Sequence, residues 1–155
     1  MLVEPISRSH ARKRFEPGDK DVTRFLQEQA LQNQERTSAA RIVEYHTLLM
    51  AQVKQEEIPG DRPRIKHAIP VILLGQLGVD REFQGLGYGE LMLMDAQARV
   101  DEISRKTGVR AMMLDARNER LALWYERYDF IRFPDQFRVF KSIDAIRALK
   151  LIEKR

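Results

Sequence analysis

Apolar residues recur along the chain with two periods, and each period marks an element. Val22, Phe25, Leu26, Gln29 and Ala30 fall at i, i+3, i+4 spacing, so residues 20–36 read as an amphipathic helix. Asp19, just after Pro17-Gly18, stands where a helix N-cap is expected. Residues 41–54 (RIVEYHTLLMAQVK) are rich in β-branched and aromatic side chains and hold a strand. Residues 55–68, with prolines, a glycine and many charges, form a surface loop. Residues 69–79 (IPVILLGQLGV) are an apolar run interrupted by glycines, the mark of a strand buried on both faces. Within it Gly75 and Gly78 indicate a bulge or a close backbone approach. A helix over about residues 88–106 follows, carried by Leu91, Met92, Met94, Ala98 and Val100 and ended by Gly108. Residues 109–115 read as a strand, 118–128 as a short helix capped by Asn118, and 130–133 and 137–141 as two short strands. A helix over 142–152, capped by Ser142, closes the chain.

The order strand, glycine loop, helix, strand, helix, strand predicts an α/β (α+β) fold around a mixed sheet, with residues 71–115 as one βαβ crossover. The length of 155 residues is that of a single domain, 1–155, whose polar residues 1–18 form a basic arm. Arg8, Arg12, Lys13 and Arg14 in that arm are either a solvated face or phosphate contacts. Apolar residues make up 43% and charged residues 32%, which excludes a disordered chain. The absence of cysteine excludes a disulfide scaffold, a cysteine nucleophile and thiolate metal sites. His10, His46 and His67 are scattered, so no metal is expected. No apolar run approaches the roughly 18 residues of a membrane span, and the first residues lack the apolar core of a secretory signal, so a cytoplasmic protein without membrane contact is expected. A net charge of +4 permits a polyanionic partner without demanding one.

The candidate chemistry centres on Gln84-Gly85-Leu86-Gly87-Tyr88-Gly89, a glycine-rich turn opening a helix. Free amides at a helix N-terminus bind phosphate oxygens, and glycines let the backbone approach them. The spacing is GxGxG rather than GxGxxG, and no Gly-Lys-Ser/Thr follows, which excludes an NTPase P-loop and argues against a dinucleotide site. From the turn alone, phosphate binding and tight helix–strand packing both stand.

The wider pattern resembles a known family. Gln-x-x-Gly-x-Gly at 84–89 is similar to the pyrophosphate loop of the GCN5-related N-acetyltransferases (GNAT), and Asn118, Leu121, Tyr125 and Phe130 resemble that family's second motif. The runs FEPGDKDVTRFLQEQALQNQERT, IPVILLGQLGVDREFQGLGYGELMLMDAQAR and GVRAMMLDA look like the acetyltransferase toxins of toxin–antitoxin pairs, so the resemblance covers about residues 15–140. It implies a mostly antiparallel twisted sheet flanked by helices, acetyl-CoA as cosubstrate, aminoacyl-tRNA as acceptor, a ribbon-helix-helix antitoxin as partner and a homodimer. A small-molecule amine, a protein N-terminus, or a degenerate CoA binder without turnover are the alternatives.

On this resemblance Gly85, Leu86, Gly87, Tyr88 and Gly89, with Gln84, hold the pyrophosphate. Leu77, Gly78 and Val79 offer strand-edge groups to the pantetheine arm, and one of their amides faces the thioester oxygen. Tyr125 protonates the departing thiolate, its other reading being a core aromatic beside Trp124. Asn118 either bonds CoA or only caps its helix. An α-amine titrates near 7.7–8, so an aminoacyl acceptor needs little general-base help. Glu44 and Asp80 are base candidates by position only and otherwise solvated charges. Lys141, Arg147, Lys150, Lys154 and Arg155 read as a basic tail suited to RNA. The sequence departs from the family at three places. The 37–42 segment is short, as if one N-terminal strand were missing. Gln76 and Gly78 stand where the toxins read Arg-Leu-Ala-Val. Asp129 stands where the family has glycine.

Overall fold

The computed structural model describes residues 4–5, 11–24, 43–58, 68–134 and 136–152. The described part of the predicted first helix is α1, Lys20–Arg24. The expectation of helix to residue 36 and of a missing strand around 37–42 falls outside the described residues. Strand β1 is Glu44–Val53 and β2 is Ile69–Val79. Helix α2 is Tyr88–Ser104, β3 is Ala111–Asp115, α3 is Glu119–Glu126, β4 is Ile131–Arg132, β5 is Arg138–Ser142 and α4 is Ile143–Ile152. The strands form one sheet in the order β1-β2-β3-β5-β4.

The pairing explains the patterning. β2 runs parallel to β3, Val71 to Leu73 against Ala111 to Met113, and α2 is the crossover such a pair requires. β5 is antiparallel to both β3 and β4, so the sheet is mixed. β3 is central, with a neighbour on each side, and Ala111, Met112, Met113 and Leu114 are all buried. An unalternating apolar run is what two covered faces demand.

The chain falls into two compact units, residues 48–75 with 96–155, and residues 1–47 with 76–95. In the first of these, Val53, Ile69, Val71, Ala111, Met113, Phe133 and Phe140 form the core cluster. Asp101 is buried there, and its carboxylate receives Arg147 Nε at 2.9 Å and Arg105 Nη2 at 3.1 Å. Arg147 also donates to Ser104 Oγ at 3.0 Å, which pins α4 to α2. Ser142 Oγ accepts the Ala145 N–H at 3.2 Å, as the N-cap reading requires.

In the other unit, Asp19 Oδ1 accepts the N–H groups of Asp21 and Val22 at 2.9 and 3.2 Å and so caps α1. The basic arm does not stay wholly in solvent. Phe15 is 1% exposed and meets the Tyr45 ring edge-on at 5.3 Å. Gly78 makes room for this packing. A β-carbon there would lie 2.7 Å from Val22 Cγ1, 3.1 Å from Tyr45 Cε1 and 3.3 Å from Phe15 Cζ. Of the two sequence options for Gly78, close approach is the one realised. The Tyr45 hydroxyl lies within hydrogen-bond distance of both Gln76 Oε1 and the Val22 carbonyl. A phenol has one proton, so the consistent arrangement has Tyr45 donating to Val22 and the Gln76 amide turned to donate to the phenol. Gln76, at the family's arginine position, thereby helps seat α1 on β2.

Candidate active site

The turn before α2 is built from its flanks inward. Asp80 is buried, and its carboxylate accepts the N–H groups of Glu82 at 3.1 Å and Glu16 at 3.3 Å. Its own N–H donates to the Val43 carbonyl at 2.8 Å. Gln84 Nε2 donates to the carbonyls of Pro17 at 2.8 Å and Val79 at 3.0 Å. Both side chains are thus spent on holding the turn's entry. For Asp80 this corrects the reading as a solvated charge or a base, and for Gln84 it makes the side-chain amide a brace.

Gly85 and Gly87 have φ of 77° and 87°, in the left-handed region that glycine enters without penalty. A β-carbon at either would meet no described atom within 4 Å. Among the described residues nothing packs there, so backbone conformation is what these two glycines supply. Gln84, Gly85, Leu86 and Gly87 are exposed. The first helical bonds run from the N–H groups of Glu90 and Leu91 to the Gly87 carbonyl at 3.1 and 3.2 Å. The amides just before them, through Tyr88 and Gly89, sit at the positive end of α2, where helical geometry gives them no acceptor. This is a main-chain cradle for anionic oxygens. Leu77, Gly78 and Val79 lie in the same unit, past the end of the β2–β3 ladder. Leu77 and Val79 are half-buried and Gly78 is buried.

Asn118 and Tyr125 belong to the other unit, on one helix two turns apart. Asn118 Oδ1 accepts the Leu121 N–H at 3.0 Å, so its oxygen caps α3 while its amide nitrogen keeps two donors. Tyr125 is 8% exposed, and burial pushes its phenol up to about 12. It meets Trp124 edge-on at 4.8 Å and Phe130 at 5.7 Å. Among the described residues its hydroxyl makes no hydrogen bond. A phenol so placed stays protonated throughout the neutral range and is set to give a proton rather than take one.

The chain leaves α3 by a Schellman turn. The Phe130 N–H donates to the Tyr125 carbonyl at 3.4 Å, and the Asp129 N–H donates to that of Glu126 at 3.1 Å. Asp129 takes φ of 62°, the left-handed value that glycine supplies in the family pattern. The apolar contact that accompanies this motif is here the Tyr125–Phe130 ring pair.

Three charges lie elsewhere than sequence placed them. Both carboxylate oxygens of Glu44 are buried and have no hydrogen-bond partner among the described residues. Burial, with the nearby Asp95 carboxylate, raises this carboxyl to about 7. Lys141 is 1% exposed, and Arg147 is committed to Asp101, so neither belongs to a solvated basic tail. Of the rest of that tail, the Lys150 side chain and residues 154–155 are outside the description. No local signal marks Glu44 or Lys141 as buried.

No protein-family model matches the chain. A tRNA-acetylating toxin of Mycobacterium tuberculosis is 30% identical over 145 residues, 87% of each chain. The chain belongs to the GNAT-fold acetyltransferase toxins. A probable toxin TacT of Sinorhizobium fredii is 25% identical over 119 residues, 70% of this chain and 66% of that one. A tyrosine-to-phenylalanine mutant of KacT superposes with a TM-score of 0.85 at 23% identity, over 94% of this chain and 96% of the other. AtaT, solved with acetyl-methionyl-tRNAfMet, gives 0.79 at 20% identity, over 93% of this chain and 94% of that one. At such identities the two structures speak for the toxin fold, and the mixed five-stranded sheet agrees with them.

Proposed function

We propose that this toxin, acting as one acetyltransferase domain over residues 1–155, transfers acetyl from acetyl-CoA to the amino group of an aminoacyl-tRNA and so blocks translation. The carrying observation is the turn at Gly85 and Gly87, whose left-handed backbone leaves α2's first amides uncovered by side chains. Leu86, Gly87, Tyr88 and Gly89 bind pyrophosphate oxygens through those amides. An amide among Leu77, Gly78 and Val79 faces the thioester oxygen as negative charge develops there. Asn118 offers its spare donors to the same cosubstrate. The acceptor arrives as a neutral α-amine, which is abundant near neutral pH. Its nitrogen attacks the acetyl carbon, the C–N bond forms, the C–S bond breaks and the amine loses a proton to water. Tyr125 gives its proton to the departing sulfur and regains one from solvent.

The substrate class rests on the tRNA-acetylating relative. KacT has been solved as a KacTA–DNA complex and AtaT with the C-terminus of its antitoxin AtaR. By analogy with these complexes this toxin takes an antitoxin; the sequence resemblance adds that the antitoxin is of the ribbon-helix-helix type and that the toxin forms a homodimer. Among the described residues no helix is long and apolar enough to cross a membrane. A toxin that acetylates charged tRNA works in the cytoplasm, where its substrates are. The test is transfer of radiolabel from acetyl-CoA to a bulk charged tRNA pool. The proposal expects label on the aminoacyl end and none on deacylated tRNA. Label only on free amines or protein N-termini overturns the tRNA reading.

A further inference from the structure

The acetyl-transfer reading leaves the buried charge of Lys141 without a part. Lys141 lies in β5 between Phe140 and Ser142, and its side chain is 0% exposed. A methionine would fill that space without the cost of desolvating an ammonium. The three groups around the ammonium say what it is for. Nζ donates to the Tyr128 carbonyl at 2.7 Å, lies 3.9 Å from an Asp129 carboxylate oxygen and sits 5.7 Å from the centre of the Phe130 ring. These are three consecutive residues of the turn that ends α3. The turn has two needs that an ammonium meets: positive charge at a helix C-terminus, and a tether for a non-glycine residue held at positive φ. Beyond the turn the linkage reaches Tyr125 twice, through the Phe130 N–H on its carbonyl and through the Phe130 ring on its ring.

We infer that Lys141 is a positioning residue for acetyl transfer, holding the 128–130 turn so that Phe130 fixes the Tyr125 ring. Lys141 touches no reacting atom. It tethers a turn whose left-handed position is held by Asp129 rather than by glycine. This rests on the reading of Tyr125 as the acid.

The test is steady-state acetyl transfer by Lys141→Met, Lys141→Met with Asp129→Gly, Phe130→Leu and Tyr125→Phe, beside the fluorescence of Trp124. Trp124 is the chain's single tryptophan and lies 4.8 Å from the Tyr125 ring and 4.9 Å from that of Tyr128. Lys141→Met should lower kcat roughly 10-fold, leave the KM for acetyl-CoA within about twofold and shift the Trp124 emission. Adding Asp129→Gly should restore most of kcat, because glycine makes the turn without a tether. A wild-type kcat in folded Lys141→Met, or a loss that Asp129→Gly does not relieve, overturns the inference. Should Lys141→Met fail to fold, Phe130→Leu decides, since it disturbs no buried charge: a selective kcat loss supports the linkage and an unchanged kcat overturns it. If Tyr125→Phe is itself fully active, the acid reading fails and this inference with it. If Tyr125→Phe is slow while Lys141→Met and Phe130→Leu are not, only the inference fails.

Discussion

In the turn before α2 the left-handed positions are Gly85 and Gly87; in the turn after α3 the left-handed position is Asp129. The first turn is exposed, meets no described atom where its β-carbons would be, and offers main-chain amides. The second is backed by a buried lysine and ends on Phe130, which is itself buried against Tyr125. The two share one steric problem and answer it differently. A turn that binds a large anion must keep its surface bare, so glycine is the only inexpensive residue there. A turn that aims a side chain gains from side-chain partners, so a costlier residue is tolerated once something holds it. Under the proposed function the difference gives the two turns separable jobs, affinity at one and proton delivery at the other.

That separation can be broken by substitution. The largest effect is expected from Tyr125→Phe, which keeps the ring and removes the proton, and kcat should fall on the order of 10²-fold or more with acetyl-CoA affinity retained. A calorimetric Kd beside the turnover number checks both halves of that statement. Next comes Gly87→Val. A β-branched residue at this φ costs about 1–2 kcal/mol, so acetyl-CoA binding should weaken roughly 10-fold, read by the same titration.

The two smaller effects sharpen the account of the unit carrying the amide turn. Gly78→Ala drives a methyl into Val22, and overpacking of this kind costs about 1–3 kcal/mol. The change in denaturant midpoint should be largely reversed by adding Val22→Ala. Glu44→Gln should give the smallest effect, and one that depends on pH. The Glu44 carboxyl is raised from 4.5 to about 7, so the native state holds its proton more tightly than the unfolded chain does. Its contribution is therefore fully present below 4.5 and is lost as the pH rises through 7. Asp95, which faces it, adds to that loss. Glu44→Gln should melt higher than wild type above pH 7, with the gap closing as the pH falls. Thermal melts at pH 5 and pH 8 measure it, and an equal gap at both would contradict the assignment.

What the sequence makes legible here is local. The doubly buried runs of β3 and of the first half of β2 follow from unalternating apolar residues, while β2 beyond Leu74 is exposed or half-buried except at Gly78; the caps at Asp19, Asn118 and Ser142 follow from residue type and position. The glycine turn is visible as a turn, though only the left-handed φ values and the open space around them, among the described residues, speak against packing. Partners distant in sequence stayed hidden. Phe15 sits in a basic stretch and becomes core because Gly78 leaves a gap for it. Lys141 looks like one cation of a tail and becomes a buried tether because a helix ends above it. Glu44 looks solvated, yet its oxygens are covered, with no partner among the described residues. In each case the deciding atom belongs to a residue far along the chain, and composition, period and spacing do not register it.

The central claim, that the glycine turn supplies affinity and Tyr125 supplies the proton, is tested most directly by single-turnover acetyl transfer to charged tRNA with each enzyme saturated by acetyl-CoA. Saturation removes a deficit in binding and leaves a deficit in chemistry. Gly87→Val should then approach the wild-type rate while Tyr125→Phe stays slow. A Gly87→Val enzyme that remains slow at saturation, or a Tyr125→Phe enzyme that matches wild type, would contradict it.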